Sequence, residues 1–296
     1  HLLVIEEYKG LFPEGEDVSF YQQLNQFYDQ RHHRSIWFKK SEFKIDPEPL
    51  LSEIKNSYAE GLNPDDYHLQ FIEKSLEDHD LFSDQSLNQR ALLDILLTNA
   101  YLSLASDYLN GKIDAEIIID DYNYRAESLE AQNLLQELIE NNNIAQILQK
   151  QLPKTDNYQK LKDKLALYRD SEKITDWPQI APGEILALEA EGKRVKQLIN
   201  NLSARNYLEA VQINADNYFD QNVKRAVVSF QSDNGLKADG VVGDKTIKAL
   251  NISRDQRVKQ LIINLERWRW LPENLGRRYI YVNIADYNLK LYEADQ

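Results

Sequence analysis

The stretch from Ala226 to Leu250, AVVSFQSDNGLKADGVVGDKTIKAL, reads as two helices joined by a turn punctuated with glycine. Its first part continues a helical pattern over Asp220–Asp233, and Asp244–Leu250 reads as a short helix with Asp244 available as N-cap. Gly235 is expected to end the first helix, Gly240 after Asp239 to allow a tight turn, and Gly243 to take positive φ before the second helix. Phe230 and Leu250 are expected to fill a small core between them. A helical segment over Glu184–Asn201 precedes the stretch, making three helices. By itself this is a compact helical unit that says nothing of function.

Outward from it, the N-terminal side is also helical. From Val18 to about Arg169 apolar residues recur at three and four spacing, with Pro or Gly between segments. Pro47 and Pro49 open a helix whose Leu50, Leu51, Ile54 and Tyr58 share one face, and Gly61 ends it. Asn63-Pro64 starts another carrying Tyr67, Phe71, Ile72 and Leu76. A long helix from about Ser86 to Leu109, closed by a left-handed cap at Asn110-Gly111, has a wide apolar face and is expected to lie centrally. Two Pro and one Gly between Trp177 and Gly183 mark the candidate linker.

On the C-terminal side, a helix over about Asp255–Trp270 stops before Pro272. The period then changes. Ile280, Val282 and Ile284 alternate, as do Leu289 and Leu291 after an Ala285–Asn288 turn, which predicts a β-hairpin. A lone two-stranded hairpin is marginal in water, so it is expected to open a larger sheet.

Composition bounds the chemistry. The 296 residues hold 35 Lys plus Arg against 48 Asp plus Glu, a net charge of −13. Charge is uneven: −15 over residues 1–180 and +2 over the rest, which suggests a boundary near 180. With 42% hydrophobic residues the chain can bury a core. No cysteine is present, which removes disulfides, thiolate metal sites and a cysteine nucleophile from this chain. Methionine is also absent, for which a processed N-terminus is one expectation. Neither part has the clustered Lys/Arg that phosphate contacts need, so nucleic acid is not an expected partner. Asp94 and Asp107 interrupt the most apolar run, Ala91–Leu109, which makes it a core helix rather than a membrane span. The segment His1–Ile5 lacks a basic n-region and a small-residue cleavage site, so membrane contact is expected only through a removed N-terminal signal or anchor.

The run Phe230-Gln231, then Asn234-Gly235-Leu236, then Asp239-Gly-Val-Val-Gly243, then Thr246 resembles the small three-helix peptidoglycan-binding domain, and Arg194 to Leu202 with Tyr207-Leu208 is similar to that domain's first helix and loop. Three flanking stretches resemble the large Gram-negative L,D-transpeptidases: Glu60-Gly-Leu-Asn-Pro-Asp-Asp-Tyr-His68, the helix from Leu96 to Lys112, and Glu266-Arg-Trp-Arg-Trp-Leu-Pro272 followed by Arg278–Ala285. That resemblance runs over almost the whole chain. It implies a periplasmic, mainly α chain: a helical scaffold over 1–180, a peptidoglycan-binding domain over 184–252, a connecting helix over 253–275, and over 276–296 the first strands of a β-rich catalytic domain. It also implies attack by a histidine-activated cysteine on a tetrapeptide stem, the acyl group passing to diaminopimelate or a lipoprotein lysine. The family's histidine and its serine-histidine-glycine-cysteine run are missing here, so no catalytic residue carries over and the chain alone is expected to be inactive. Peptidoglycan, through glycan and stem peptide, is the expected partner, with contact between scaffold and catalytic domain a further candidate. No cofactor or metal is expected. The candidate binding surface is Asp239, Gly240, Gly243 and Thr246, with Phe230 and Gln231 beneath. Rival readings are the same module on a zinc amidase or carboxypeptidase, and a non-catalytic scaffold for protein contacts.

Other constellations are weaker. His32, His33, His68 and His79 complete no short zinc spacing, and His68 beside Tyr67 on a helix reads as structural. The pairs Asp65-Asp66 and Asp120-Asp121 have the composition of glycosidase carboxylates, but acids at helix starts and in loops are common. Asp233 to Asp239 lacks the ligand alternation of a calcium loop. Trp268 and Trp270 can stack on sugars, though packing against the core or a following domain is the favoured role.

Overall fold

The structure is a computed structural model; it describes residues 18–119, 129–141, 143–170, 177–209, 213–272, 277–283 and 288–293. Among them, twelve α-helices precede one antiparallel hairpin, so the chain is mainly α. It divides into two compact units, residues 1–162 with 262–296, and residues 163–261. The change in charge near residue 180 falls inside the second unit.

In the first unit α1 (Tyr21–Gln30), α2 (Glu48–Asn56), α3 (Leu69–Leu76) and α4 (Leu87–Asn110) are followed by α5 (Ala115–Ile118), α6 (Ala131–Asn141), α7 (Ile144–Gln149) and the start of α8 (Asp156–Arg169). Helix α4 touches α1, α2, α3 and α7. Every residue from Arg90 to Leu102 is buried, so this helix has no solvent face at all along that length. Its polar side chains therefore need partners inside the core, because an unpaired buried polar group costs about 1–3 kcal/mol.

They find them on segments distant in sequence. Asp94 accepts hydrogen bonds from the Tyr28 hydroxyl at 2.5 Å, the Trp37 amide at 3.0 Å, the Ile36 amide at 3.3 Å and the Ser35 hydroxyl. Burial pushes the Asp94 carboxyl above the usual carboxylate range, and those hydrogen bonds pull the other way. One turn on, the Thr98 hydroxyl meets the Tyr28 hydroxyl and accepts from the Trp37 indole, both at 2.9 Å. Asn99 accepts from the Phe20 amide at 3.2 Å and pairs with His68 Nε2 at 2.8 Å. Arg90 donates to the Leu81 and Ser83 carbonyls, each at 2.7 Å.

Helices α2 and α3 differ from the sequence reading. Helix α2 ends at Asn56 and tightens into a 3₁₀ turn over Ser57–Glu60, which rotates Tyr58 off the apolar face and leaves it 53% exposed. The helix expected after Asn63-Pro64 is split: a 3₁₀ turn over Pro64–Tyr67 is followed by His68 at φ +59°, and α3 begins only at Leu69. The break lets Tyr67 and His68 both point inward, His68 to Asn99 and Tyr67 to Asp107. His68 is thus a partnered core residue between two helical turns rather than within a helix.

The end of α12 (Arg254–Arg269) belongs to this unit and is fixed by charge. Arg269, 2% exposed, pairs with Glu266 at 2.9 Å, donates to the Tyr158 hydroxyl at 3.2 Å and reaches the Glu60 carbonyl. Tyr158 in turn donates to the Glu60 carboxylate at 2.8 Å, which also meets Lys162. Gly111 sits where Glu266 approaches: a Cβ there would lie 2.6 Å from a Glu266 oxygen. Its φ of +79° comes with ψ 166°, so α4 ends in an extended positive-φ glycine and not the left-handed cap the sequence suggested.

The hairpin pairs β1 (Arg278–Asn283) with β2 (Asn288–Glu293). Ile280 faces Leu291 and Val282 faces Leu289, and all four are more than half exposed. The expected Ala285–Asn288 turn and Ile284 lie outside the described residues, Asn288 excepted.

In the second unit α9 (Lys193–Ala204), α10 (Gln221–Asp233) and α11 (Asp244–Leu250) enclose Leu198, Val227, Phe230 and Leu250. The helix read over Glu184–Asn201 begins only at Lys193, because Leu186 forms a β-bridge with Val242 and Glu191 one with Tyr218. Asp220 caps α10 through the Asn222 and Val223 amides. Asp244 does not cap α11: Gly243 occupies that position and Asp244 is the first helical residue. The Pro-containing stretch read as a linker is packed. Ile180 exchanges two 2.9 Å hydrogen bonds with the Asn251 side chain, and Asn201 donates to the Pro178 carbonyl at 2.6 Å. Trp177 is buried beneath the Arg205 guanidinium, 3.5 Å above its ring. Burial pushes Arg205 down to about 10.

Replacing Asp94 with Ala leaves the Trp37 amide and the Tyr28 hydroxyl without their carboxylate, and is expected to destabilise the first unit by about 3 kcal/mol or more. Thr98→Val, which removes fewer partners, is expected to cost about half as much or less. Denaturant unfolding monitored by Trp37 fluorescence checks both, and equal costs would contradict the ranking.

Candidate functional site

The turn between α10 and α11 is organised by one side chain. Gln231, 1% exposed, donates to the Val241 carbonyl at 2.9 Å, to the Thr246 hydroxyl at 3.2 Å and to Asp239 at 3.3 Å. Its carbonyl accepts from the Gly240 amide at 2.9 Å, and its backbone carbonyl from the Leu236 amide at 2.8 Å. Asp239 closes the turn by accepting from the Val241 amide at 3.0 Å, and that bond holds its carboxyl below the usual range. Val242 then joins Leu186 in the β-bridge.

Four of the six residues singled out from sequence, Gln231, Asp239, Gly240 and Thr246, meet in this knot. Phe230 lies under it in the core, with the Tyr207 ring edge-on at 5.4 Å. Gly243 starts α11 next to it. Phe230, Gln231, Gly240 and Thr246 are buried, so what the turn shows to solvent is Gly235, Lys237, Ala238 and Asp239, with Asp244 and Lys245 on the first turn of α11. Gly235 and Gly240 have φ of +64° and +74°, as their positions require. Gly243 differs from expectation: its φ is −93°, a conformation open to any residue, and a Cβ there meets nothing within 4 Å.

Beside the knot lies a polar group that the sequence pattern did not single out. The Tyr207 hydroxyl donates to Asp233 at 2.9 Å and Arg257 donates to Asn234 at 2.7 Å. Burial pushes Tyr207 up to about 12. Arg257 stands 23 residues from Asn234. No local spacing signals such a pair; the resemblance touched Tyr207 and Asn234 of this rim, and Arg257 was outside every motif read from the sequence.

The remaining candidates disperse. Among the described residues no group of three or more His, Cys, Asp or Glu side chains is placed to hold a metal ion. His79 is exposed, and His32 and His33 sit in a left-handed turn after α1. Asp66 pairs with Lys112, and Asp65 accepts from the Gln70 amide group. Asp120 and Asp121 lie outside the described residues. Asp233 and Asp239 are engaged with different partners. Trp270 is buried and Trp268 half-buried.

Two family models match this chain. One, described as a scaffold domain, covers residues 22–165, and the other, a peptidoglycan binding domain, covers residues 191–250. The chain carries both domains in tandem. No curated protein matches it. The peptidoglycan-binding match spans α9 through α11 and contains the entire Gln231 knot, so the knot is the scaffold of a module whose target is the cell wall.

The knot predicts opposite fates for its two neighbouring glycines. Gly240→Ala is expected to cost the module about 1–2 kcal/mol, because φ is positive and Lys224 and Val228 crowd the position. Gly243→Ala is expected to stay within about 0.5 kcal/mol. Gln231→Leu, which strands the Gly240 amide, is expected to cost about 2 kcal/mol or more. Amide exchange across α10 and α11 measures all three, and a costly Gly243→Ala would contradict the backbone reading.

Proposed function

We propose that this chain is the scaffold and wall-binding portion of a periplasmic L,D-transpeptidase, holding that enzyme on peptidoglycan while a catalytic domain cross-links stem peptides through a cysteine acyl-enzyme. The observation that carries the reading is the peptidoglycan-binding match over residues 191–250 with an intact turn knot inside it. The scaffold match and the stretches Glu60–His68 and Glu266–Pro272 support the finer assignment. The hairpin supports it physically: four apolar side chains on one face, each more than half exposed, form a patch of the kind that another layer of a β-rich domain would cover. In this reading residues 1–180, 184–252, 253–275 and 276–296 serve as scaffold, binding domain, connecting helix and first catalytic strands. The exposed polar rim of Lys237, Asp239, Asp244 and Lys245 meets the glycan or the stem peptide, and the buried Phe230, Gln231, Gly240 and Thr246 hold that rim in shape.

Cosedimentation of the 296-residue chain with purified sacculi tests the binding claim. Retention at about 0.15 M salt is expected, weakened by Lys237→Glu or Lys245→Glu without loss of fold. Absence of retention overturns the reading. The same preparation is expected to show no turnover on tetrapeptide muropeptides, since thiolate chemistry needs a cysteine that this chain lacks; turnover would refute that assignment of roles.

A further inference from the structure

Two arginines of the second unit converge without an acid between them. Arg205 follows the last residue of α9, and Arg257 lies in the first turn of α12. The Arg205 guanidinium stands 3.5 Å over the Trp177 ring and 5.6 Å over the Phe230 ring, and the Tyr207 ring meets the same Phe230 edge-on at 5.4 Å. The Tyr207 hydroxyl reaches Asp233, and the next residue, Asn234, accepts from Arg257, which closes the group. Tyr168 borders it, edge-on to Trp177 at 5.6 Å. Among the described residues neither arginine forms an ion pair, although the chain carries a net charge of −13. Asp233 touches the group through the Tyr207 hydroxyl and not through either guanidinium.

The hydrogen-bonding capacity left to these two side chains is all donor, because a guanidinium carries five N–H groups and no acceptor. Arg205 donates from Nε to Asn201 and from Nη2 to the Leu250 and Ile252 carbonyls, which leaves both protons of Nη1. Arg257 donates once from Nη1 to Gln260 and once from Nη2 to Asn234, which leaves Nε and the second proton of each. None of these spare nitrogens is among the fully buried atoms that lack a partner, so they keep surface that solvent can reach. Burial, and after it the charge of Arg257, push Arg205 down to about 10, with Tyr168 and Tyr207 opposing. Two partly desolvated cations facing each other carry a cost that the described residues do not relieve with a counter-charge.

We propose that Arg205 and Arg257 bind a phosphate group, free or as a monoester, through their spare N–H groups, with the Tyr168 hydroxyl as a further donor. That hydroxyl faces Arg205 and has no partner among the described residues. A carboxylate offers about four lone-pair sites on two oxygens, fewer than the donors present, whereas the additional oxygens of a phosphate accept them all. Two guanidinium charges also favour a dianion over a monoanion, and their planar forks suit phosphate oxygens in pairs. A single pair of arginines is far short of the basic stripe that a nucleic acid needs. These side chains are distinct from Lys237, Asp239, Asp244 and Lys245, so the site does not rest on the wall-binding reading.

The test is amide and arginine side-chain chemical-shift titration of the 296-residue chain at about 0.15 M salt, with inorganic phosphate, glycerol phosphate and acetate. Saturable shifts at Arg205, Tyr207, Asn234 and Arg257 are expected with phosphate, and binding at least about tenfold weaker with acetate. Glycerol phosphate binding as tightly as phosphate marks a monoester as the source, and binding of phosphate alone marks the free ion. Arg257 is half-buried and outside the hydrophobic cluster, so Arg257→Gln is expected to keep the fold and weaken phosphate at least about tenfold, with sacculus retention unchanged. Arg257→Lys, which keeps the charge and loses the fork, is expected to fall between. The proposal is overturned by the absence of saturable shifts with phosphate, by acetate binding equally, by shifts centred on Lys237 and Lys245, or by an Arg257→Gln titration like the parent's. Loss of sacculus retention in Arg257→Gln overturns it as a separate site and assigns the rim to the wall-binding surface.

Discussion

A helix with no solvent face must satisfy its polar side chains within the protein, and the scaffold unit is arranged around that constraint. From Arg90 to Leu102 helix α4 is buried on every side, yet it carries Arg90, Asp94, Thr98 and Asn99. Between them they draw in distant segments: Arg90 the loop before α4, Asp94 and Thr98 together the chain around Tyr28 and Trp37, Asn99 the residues at Phe20 and His68. The hydrophobic residues between them supply most of the burial energy, but apolar contact is non-directional. The hydrogen bonds decide which segment lies where. Asp94 illustrates the trade: burial raises its pKa, and four donors converge to offset that cost.

The second unit solves a smaller problem in the same way. Three short helices bury too little surface to be rigid without help. Gln231 knits the turn between two of them, while Arg205 reaches the carbonyls of Leu250 and Ile252 after stacking on Trp177. One buried and one half-buried polar side chain thereby join loop to helix. The result is a division at the turn: the residues inside set its shape, and Lys237, Asp239, Asp244 and Lys245 face solvent.

Among the described residues neither hydrophobic cluster includes a hairpin side chain. The hairpin's cross-strand pairs are regular and Tyr279 stacks on Tyr292 at 4.8 Å, but Ile280, Val282, Leu289 and Leu291 remain exposed. That exposed apolar face contrasts with α4, where a comparable run of apolar residues is fully enclosed.

Much of this was legible in the sequence, because helix periodicity, Pro and Gly punctuation and strand alternation are local signals. Most of the helices, the hairpin, the central place of α4 and the clustering of Gln231, Asp239, Gly240 and Thr246 follow from patterns within about twenty-five residues, whereas the hairpin register does not: Asn288, read as part of the turn, is the first residue of β2 and faces Asn283. What the pattern misjudged was also local in appearance but tertiary in cause. Tyr58 turns outward because α2 tightens, His68 breaks a helix to reach Asn99, and Leu186 pairs with Val242 instead of continuing a helix. Pro178 to Gly183 looked like a linker because composition reports turn propensity and not the Asn201 and Asn251 side chains waiting to bind it. The sequence by itself determined a mainly helical chain with a glycine-organised module; only the tertiary structure decided which buried polar groups meet, since those partners lie tens of residues apart and no periodicity encodes them.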